Sequence, residues 1–190
     1  MKRIMLFSFM MLVIITGCDR PYAYTNVTTL LEPHQNIGVS RIVIIVSDMG
    51  NLIIRESLED WFVKEFAEYD ISAEAGYKIF SPLKSYSPQE MAALMKEHKI
   101  DAYMLVSPTP AYVFKDNRLY PYNYSTGYAI EARLYLRNGS NPIWEADSLT
   151  SYYHGLVDFN TTFYSLTKEI VYAYKADLSN QKVLNQTNHK

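Results

Sequence analysis

Residues 41–80 read RIVIIVSDMGNLIIRESLEDWFVKEFAEYDISAEAGYKIF, and this stretch decides the fold. Arg41 to Ser47 is a short, continuous, β-branched run, the pattern of a strand buried on both faces. Gly50 breaks it, and Asn51 is a natural helix N-cap. From Leu52 to Tyr69 the apolar residues Ile54, Leu58, Trp61, Phe62, Phe66 and Tyr69 recur at steps of three and four, which predicts a helix. Trp61 and Phe62 are expected to be largely buried against a sheet, with Arg55 and Glu59 one turn apart on the solvent side. Ile71, Ala73, Ala75, Tyr77 and Ile79 then alternate, which predicts a second strand over 71–80.

The pattern continues outward from this unit. After a loop at Ser81–Tyr86, the run Ser87-Pro88-Gln89-Glu90 is a capping box with proline at the first helical position. The helix it starts runs to about Lys99 and buries Met91, Leu94 and Met95. Asp101 to Ser107 is a third buried strand. Strand and helix in alternation imply parallel crossovers. The second half changes character. Residues 126–137 alternate, Asn138-Gly139 is a hairpin signal, and Pro142 to Tyr152 is the return strand carrying Trp144. A last helix, capped by Asp158 or Asn160, places Phe163, Leu166, Ile170 and Tyr174 on one stripe. The expected fold class is α/β (α+β mixed): a single mixed β-sheet, order βαβαβββα, with helices packed on it.

The N-terminus has a different logic. Lys2 and Arg3 precede an apolar run, Ile4 to Ile15, broken only by Ser8 and closing on Thr16-Gly17-Cys18. A transmembrane helix needs roughly 20 apolar residues, whereas a run of about a dozen fits the hydrophobic core of a signal peptide. The segment resembles a bacterial lipoprotein signal peptide with its lipobox. The resemblance implies cleavage before Cys18 and acylation of that residue, the only cysteine in the chain. Two or more acyl chains give stable membrane anchoring. In enteric bacteria an aspartate at the position of Asp19 resembles the signal for retention in the inner membrane, which favours that membrane over the outer one. The expected organisation is a signal peptide at 1–17, a lipidated cysteine and tether at 18–37, a globular domain at 38–178 and a polar tail at 179–190.

A second resemblance rests on RESLEDWFVKEF, SPLKSYSPQEMAALMKEHKIDAYMLVS and YAIEARLYLRNGSNPIWEADSLTSYY. These are similar to small uncharacterised bacterial envelope lipoproteins, whose fold is akin to penicillin-binding-protein activator lipoproteins, the curli secretion lipoprotein and the N-terminal domain of the Tol-Pal β-propeller protein. The family often carries Asp-x-x-Thr/Ser-Gly-Lys in its hairpin, where this chain has Arg137-Asn138-Gly139-Ser140. The resemblance brings a fold and an envelope location but no catalytic residue.

Composition narrows the remaining classes. Loss of residues 1–18 takes away two of 18 basic residues against 20 acidic, leaving a net charge of −4. That gives no footprint for nucleic acid. A hydrolase needs a nucleophile beside a base. Of His34, His98, His154 and His189, only His154 is placed to sit in a cleft, and no Gly-x-Ser-x-Gly elbow is present. Metal-ligand spacing is lacking too, since Glu145, Asp147 and Asp158 are scattered and no second cysteine exists. No catalytic residue, cofactor or metal is therefore expected. Tyrosine is abundant, at 17, and the segment Pro108–Ser125 is rich in it. Read as a long loop between the third and fourth strands, it offers Tyr112, Phe114, Lys115, Arg118, Tyr120, Tyr122 and Tyr124 as a binding surface, since aromatics with interspersed cations suit contact with a glycan or a protein; the alternative is an irregular edge hairpin folded over the sheet. The leading expectation is a non-enzymatic binding or scaffold protein, anchored to the membrane by its N-terminal lipid, facing the periplasm and contacting an envelope protein or peptidoglycan. The alternatives are an accessory subunit of a secretion or assembly complex, and a periplasmic hydrolase using His154.

Overall fold

The computed structural model describes residues 28–29, 39–47, 51–81, 83–115, 124–152 and 159–187, and the side chains of these except at 28–29, 109–127, 150–159 and 181–187. The elements are β1 (Thr28–Thr29), β2 (Arg41–Val46), α1 (Leu52–Ala67), β3 (Ser72–Ala75), a 3₁₀ turn (Gly76–Lys78), α2 (Pro88–Glu97), β4 (Ala102–Lys115), β5 (Tyr124–Leu136), β6 (Pro142–Tyr152) and α3 (Phe159–Thr187). They form one mixed sheet in the order β1-β6-β5-β4-β2-β3. β2 is parallel to both β3 and β4; β4, β5 and β6 are antiparallel neighbours. The expected βαβαβββα order is present, with β1 added at one edge.

The two faces of the sheet differ in depth of cover. On one face Ile42, Ile44, Val46, Met104, Val106, Ile130, Leu134, Trp144 and Ala146 meet α1 and α3 in the main core. α1 contributes Leu58, Phe62 and Phe66, and α3 contributes Phe163, Leu166, Ile170 and Tyr174, all buried. The Tyr174 ring meets Trp144 edge-on at 5.2 Å and Phe66 edge-on at 5.8 Å. Trp144 Nε1 donates to Asp177 Oδ2 at 3.0 Å, so the indole is buried with its one polar atom satisfied. The opposite face holds a small core of Val43, Phe80, Met95 and Ile100 beneath α2.

The helix ends follow the chemistry that the sequence suggests. Asn51 Oδ1 accepts from the Ile53 and Ile54 N–H groups. Ser87 and Glu90 close the capping box in both directions. α1 and α2 end on residues with φ near 58°, Asp70 and Lys99, and the next N–H in each case reaches back into the helix, Ile71 to Phe66 and Ile100 to Met95. These are left-handed C-terminal caps without the usual glycine.

Five expectations need correction. The second strand covers only Ser72–Ala75, because Gly76 lies so close to β2 that a Cβ there would come within 2.6 Å of the Ile44 carbonyl oxygen, and the chain turns at once into the 3₁₀ segment. Trp61 is half-buried, edge-on to Tyr164 at the margin of the core, while Phe62 is fully buried. Glu59 is buried and not on the solvent side. The hairpin turn sits one residue early: the Gly139 N–H closes on Leu136 O at 2.9 Å, putting Arg137 and Asn138 at the corner. Arg137 is held there by its N–H to Asp101 O and its guanidinium to Ile100 O. Finally, the loop reading of Pro108–Ser125 gives way to the hairpin alternative over the described residues 108–115 and 124–125, since β4 and β5 stay paired as far as Lys115↔Tyr124. Two further findings touch the expected boundaries. Thr28–Thr29, within the segment read as a tether, pair with Asp147 and Ala146, and α3 runs through 179–187.

Candidate functional site

In open sheets built from crossovers, ligands usually bind at the carboxyl ends of the strands, where successive connections leave for opposite faces. Here that point lies between β2 and β3: β2 leads into α1 on the main-core face, and β3 leads toward α2 on the other. The crevice is filled from within. The Glu59 side chain comes in from α1, with Oε1 accepting from the Val46 N–H at 3.1 Å and Oε2 from the Tyr77 N–H at 2.7 Å. Arg55 Nε reaches Oε1 at 3.2 Å from one turn away. A carboxylate of the chain itself thus uses the backbone donors that an anionic ligand would need. The i,i+4 spacing of Arg55 and Glu59 is visible in sequence, but their burial depends on Gly76 letting the turn approach β2.

Among the described residues, a charged hollow of about 700 Å³ lies between α1 and α3, lined by Lys64, Glu65, Tyr69, Tyr164 and Lys168, and a more apolar concavity lies on the thinly covered face. A groove of about 490 Å³ runs between α2 and the β5–β6 turn. Tyr86, Met91, Met95 and Tyr103 form its apolar part; Gln89, Arg137, Asn138 and Ser140 form its polar rim. Tyr103 stacks on Tyr135 at 4.9 Å with the rings 9° from parallel, and burial pushes the Tyr103 hydroxyl up in pKa. Beside this pair, on the same face of β5 and β6, Arg133 lies between Glu131 and Glu145, with Nε 2.8 Å from Glu145 Oε1. Asp147 is exposed farther along β6. The surface is aromatic and charged, partly open, and offers contact without a nucleophile–base pair.

The sequence-derived site residues fall in several places. Tyr112, Phe114 and Lys115 take backbone positions at the far end of β4, and Tyr124 begins β5. Their side chains, together with Arg118, Tyr120, Tyr122, His154, Asp158 and Cys18, lie outside the described residues. His98 caps α2 and its carbonyl accepts from Arg41. Among the described residues, no group of three or more His, Cys, Asp or Glu side chains could hold a metal ion, and no helix is long and apolar enough to cross a membrane. The groove itself was missed in sequence, because α2 and the hairpin turn meet only after the chain has crossed the sheet.

Comparison with solved structures places the fold. The chain is similar to the PelC dodecamer from Paraburkholderia phytofirmans, with a TM-score of 0.53 at 9% identity over 78% of this chain and 95% of that one. It is also similar to lipoprotein GNA1162 from Neisseria meningitidis, with a TM-score of 0.47 at 11% identity over 75% of this chain and 99% of that one. The PelC likeness establishes a shared fold. Neither a protein-family model nor a curated protein matches the sequence.

Proposed function

We propose that this protein is a lipid-anchored component of the bacterial envelope that works by binding and not by catalysis. The observation that carries the reading is the inequality of the two sheet faces. One is closed by α1 and α3, and its switch-point crevice is filled by Glu59. The other presents the stacked Tyr103–Tyr135 pair, the Glu131–Arg133–Glu145 cluster and the groove under α2. Aromatic and arginine side chains are the usual anchors of recognition surfaces. The leader ending at Cys18 supports the anchor, and a tether would raise the local concentration of this face near its partner. The partner expected from this chemistry is an envelope protein or peptidoglycan, with Tyr112, Tyr120, Tyr122 and Tyr124 on or near the β4–β5 extension as a second contact region.

Two measurements test this reading. Labelled palmitate should enter the wild-type chain and not Cys18→Ala, which should also persist as uncut precursor; equal labelling would end the anchor claim. A photo-crosslinking residue at Tyr135 or Ser140 should capture partner material in intact cells, while one at Lys64 on the helical side should not. Capture from both faces alike would remove the assigned surface.

A second reading is favoured by one observation: the fold is shared with a protein that forms a dodecamer. This chain would then be a subunit of a ring-like envelope assembly. Sizing the detergent-extracted protein separates the two, since a ring would elute at many times the mass of a single processed chain.

A further inference from the structure

Arginines 41, 55, 133 and 137 lie among the described residues, and all but the last are ion-paired. Arg41 meets Glu74 at 2.6 Å and Arg55 meets Glu59 at 3.2 Å. Arg133 lies between Glu131 and Glu145. Arg137 meets no carboxylate at ion-pair distance among the described residues. Its charge is felt at Asp101, but that carboxylate already accepts from Ser40 and from the Arg41 backbone. Arg137 is nonetheless fixed in place. Its Nη1 donates to Ile100 O at 3.0 Å, and its backbone N–H donates to Asp101 O at 2.8 Å. A guanidinium held by a carbonyl and left without a counter-ion keeps its other N–H groups for a ligand.

Arg137 stands on the rim of the groove under α2, and the described lining of that groove holds no aspartate or glutamate. Gln89, Asn138 and Ser140 add neutral hydrogen-bonding groups beside the guanidinium, while Met91, Met95 and Tyr103 are apolar. Near Tyr86, Lys84 and Glu90 pair with each other at 3.1 Å, which leaves Arg137 as the uncompensated charge. The hollow between α1 and α3 is built differently, since Glu65, Glu68 and Glu169 there accompany Lys64 and Lys168. In a chain with 20 acidic and 18 basic residues, this groove is the acid-free one. It is positive at one end and apolar along its length, which is complementary to an apolar ligand that ends in an anion.

We propose that the groove under α2 takes the last residues of an extended peptide, with the C-terminal carboxylate on Arg137 and an apolar side chain over Met91, Met95 and Tyr103. The inference deepens the proposed binding role and rests on it; the partner is an envelope protein with an exposed C-terminal tail. Capture of a terminal carboxylate is a recurring mode of peptide recognition, and a guanidinium–carboxylate contact is charge-assisted. A volume of about 490 Å³ falls in the range of small-ligand clefts, about 300–1,000 Å³, and holds a few residues and not a folded surface. The side-chain amides of Gln89 and Asn138 each donate and accept, which matches the backbone amides of a peptide. A fatty acid has one polar end and would leave them unused. Residues 88–95 of α2 also span only about 10 Å, shorter than a long extended acyl chain.

The test uses the full chain in lipid nanodiscs and short peptides that carry a dye at the N-terminus. The peptides end in phenylalanine, leucine or serine, each as the free acid and as the amide, and fluorescence anisotropy reads binding. The phenylalanine and leucine acids are expected to bind about tenfold or more tighter than their amides, and the serine acid more weakly than either. Arg137→Gln should erase the difference between acid and amide. Asn138→Asp, at an exposed corner of the turn, keeps Arg137 and its contacts; it should weaken the acids and leave the amides unchanged, and it stands in if Arg137→Gln lowers the thermal midpoint. Equal binding of acid and amide to wild type, or a difference that survives both substitutions, overturns the proposal. Binding of dodecanoate or muramyl dipeptide with no binding of any peptide also overturns it, by making the occupant an amphiphile or a cell-wall fragment. If no probe binds while a crosslinker at Ser140 still captures a partner in cells, the carboxylate site falls and the binding face stands. If that crosslink is absent too, the binding face falls with it.

Discussion

The backbone N–H of Tyr77 donates to Glu59 Oε2 at 2.7 Å, joining the turn after β3 to the middle of α1. The other oxygen of the same carboxylate accepts from Val46 at the end of β2. One side chain therefore fixes two strand ends and a helix relative to each other. Glu59→Ala leaves two backbone donors and Arg55 without this acceptor and is expected to cost about 3–5 kcal/mol, the range for breaking a buried charged pair. Glu59→Gln keeps one acceptor oxygen and should cost about 1–3 kcal/mol. Urea unfolding of the two variants checks the order; equal midpoints would show that the charge itself, and not the acceptor geometry, carries the effect.

Gly76 is the second element of this junction. Gly76→Ala brings a Cβ within 2.6 Å of a backbone oxygen on β2, which cannot yield as a flexible side chain would. A destabilisation of about 1–3 kcal/mol, in the range of overpacked cores, is expected. Thermal unfolding measures it, and a midpoint equal to wild type would mean that the turn moves freely.

Phe62 and Trp61 are adjacent in sequence but unequal in burial. Phe62→Ala should cost about 3–5 kcal/mol. Trp61→Ala, at the core margin against Tyr164, should cost clearly less despite removing the larger ring. Denaturant midpoints that reverse this order would contradict the helical register of α1.

Trp144→Phe retains most of the buried ring but leaves Asp177 without its indole donor. The expected loss is about 1–3 kcal/mol, combining a charge-assisted hydrogen bond with a small packing change. Asp177→Asn still offers an acceptor and should lose less. Comparing the two by urea unfolding, and in the double variant, isolates the pair.

Glu90 gives a pH signature. The Ser87 backbone N–H, then the Lys84 ammonium and the Ser87 hydroxyl, pull its carboxyl down from 4.5 to about 2. Because the folded-state value is depressed, the stabilisation is present above the unfolded value and is lost as pH falls through the folded one. Glu90→Gln should therefore be less stable than wild type at pH 7, and the gap should narrow between pH 5 and 2. Unfolding midpoints across that window check the sign; a gap independent of pH would remove the ionised cap from the explanation.

How far the sequence alone reached is best judged residue by residue. The β-branched run at 41–47, the 3–4 spacing of Leu58, Phe62 and Phe66, the capping box at Ser87–Glu90 and the stripe from Phe163 to Tyr174 all act locally or through a single period, so element type and order were readable from them. The charged leader and lipobox resemblance around Cys18 gave the expectation of an anchor by the same local means. What depended on residues distant in the chain was not readable. The burial of Glu59 required β2, α1 and the 3₁₀ turn to converge, so an i,i+4 pair with Arg55 looked like solvent-exposed helix chemistry. The strand character of 108–115 arose from pairing with β5, which prolines and tyrosines do not announce. The groove under α2 came from strand order and direction. Local preferences select the elements; only tertiary packing decides which donors are buried and which face stays open.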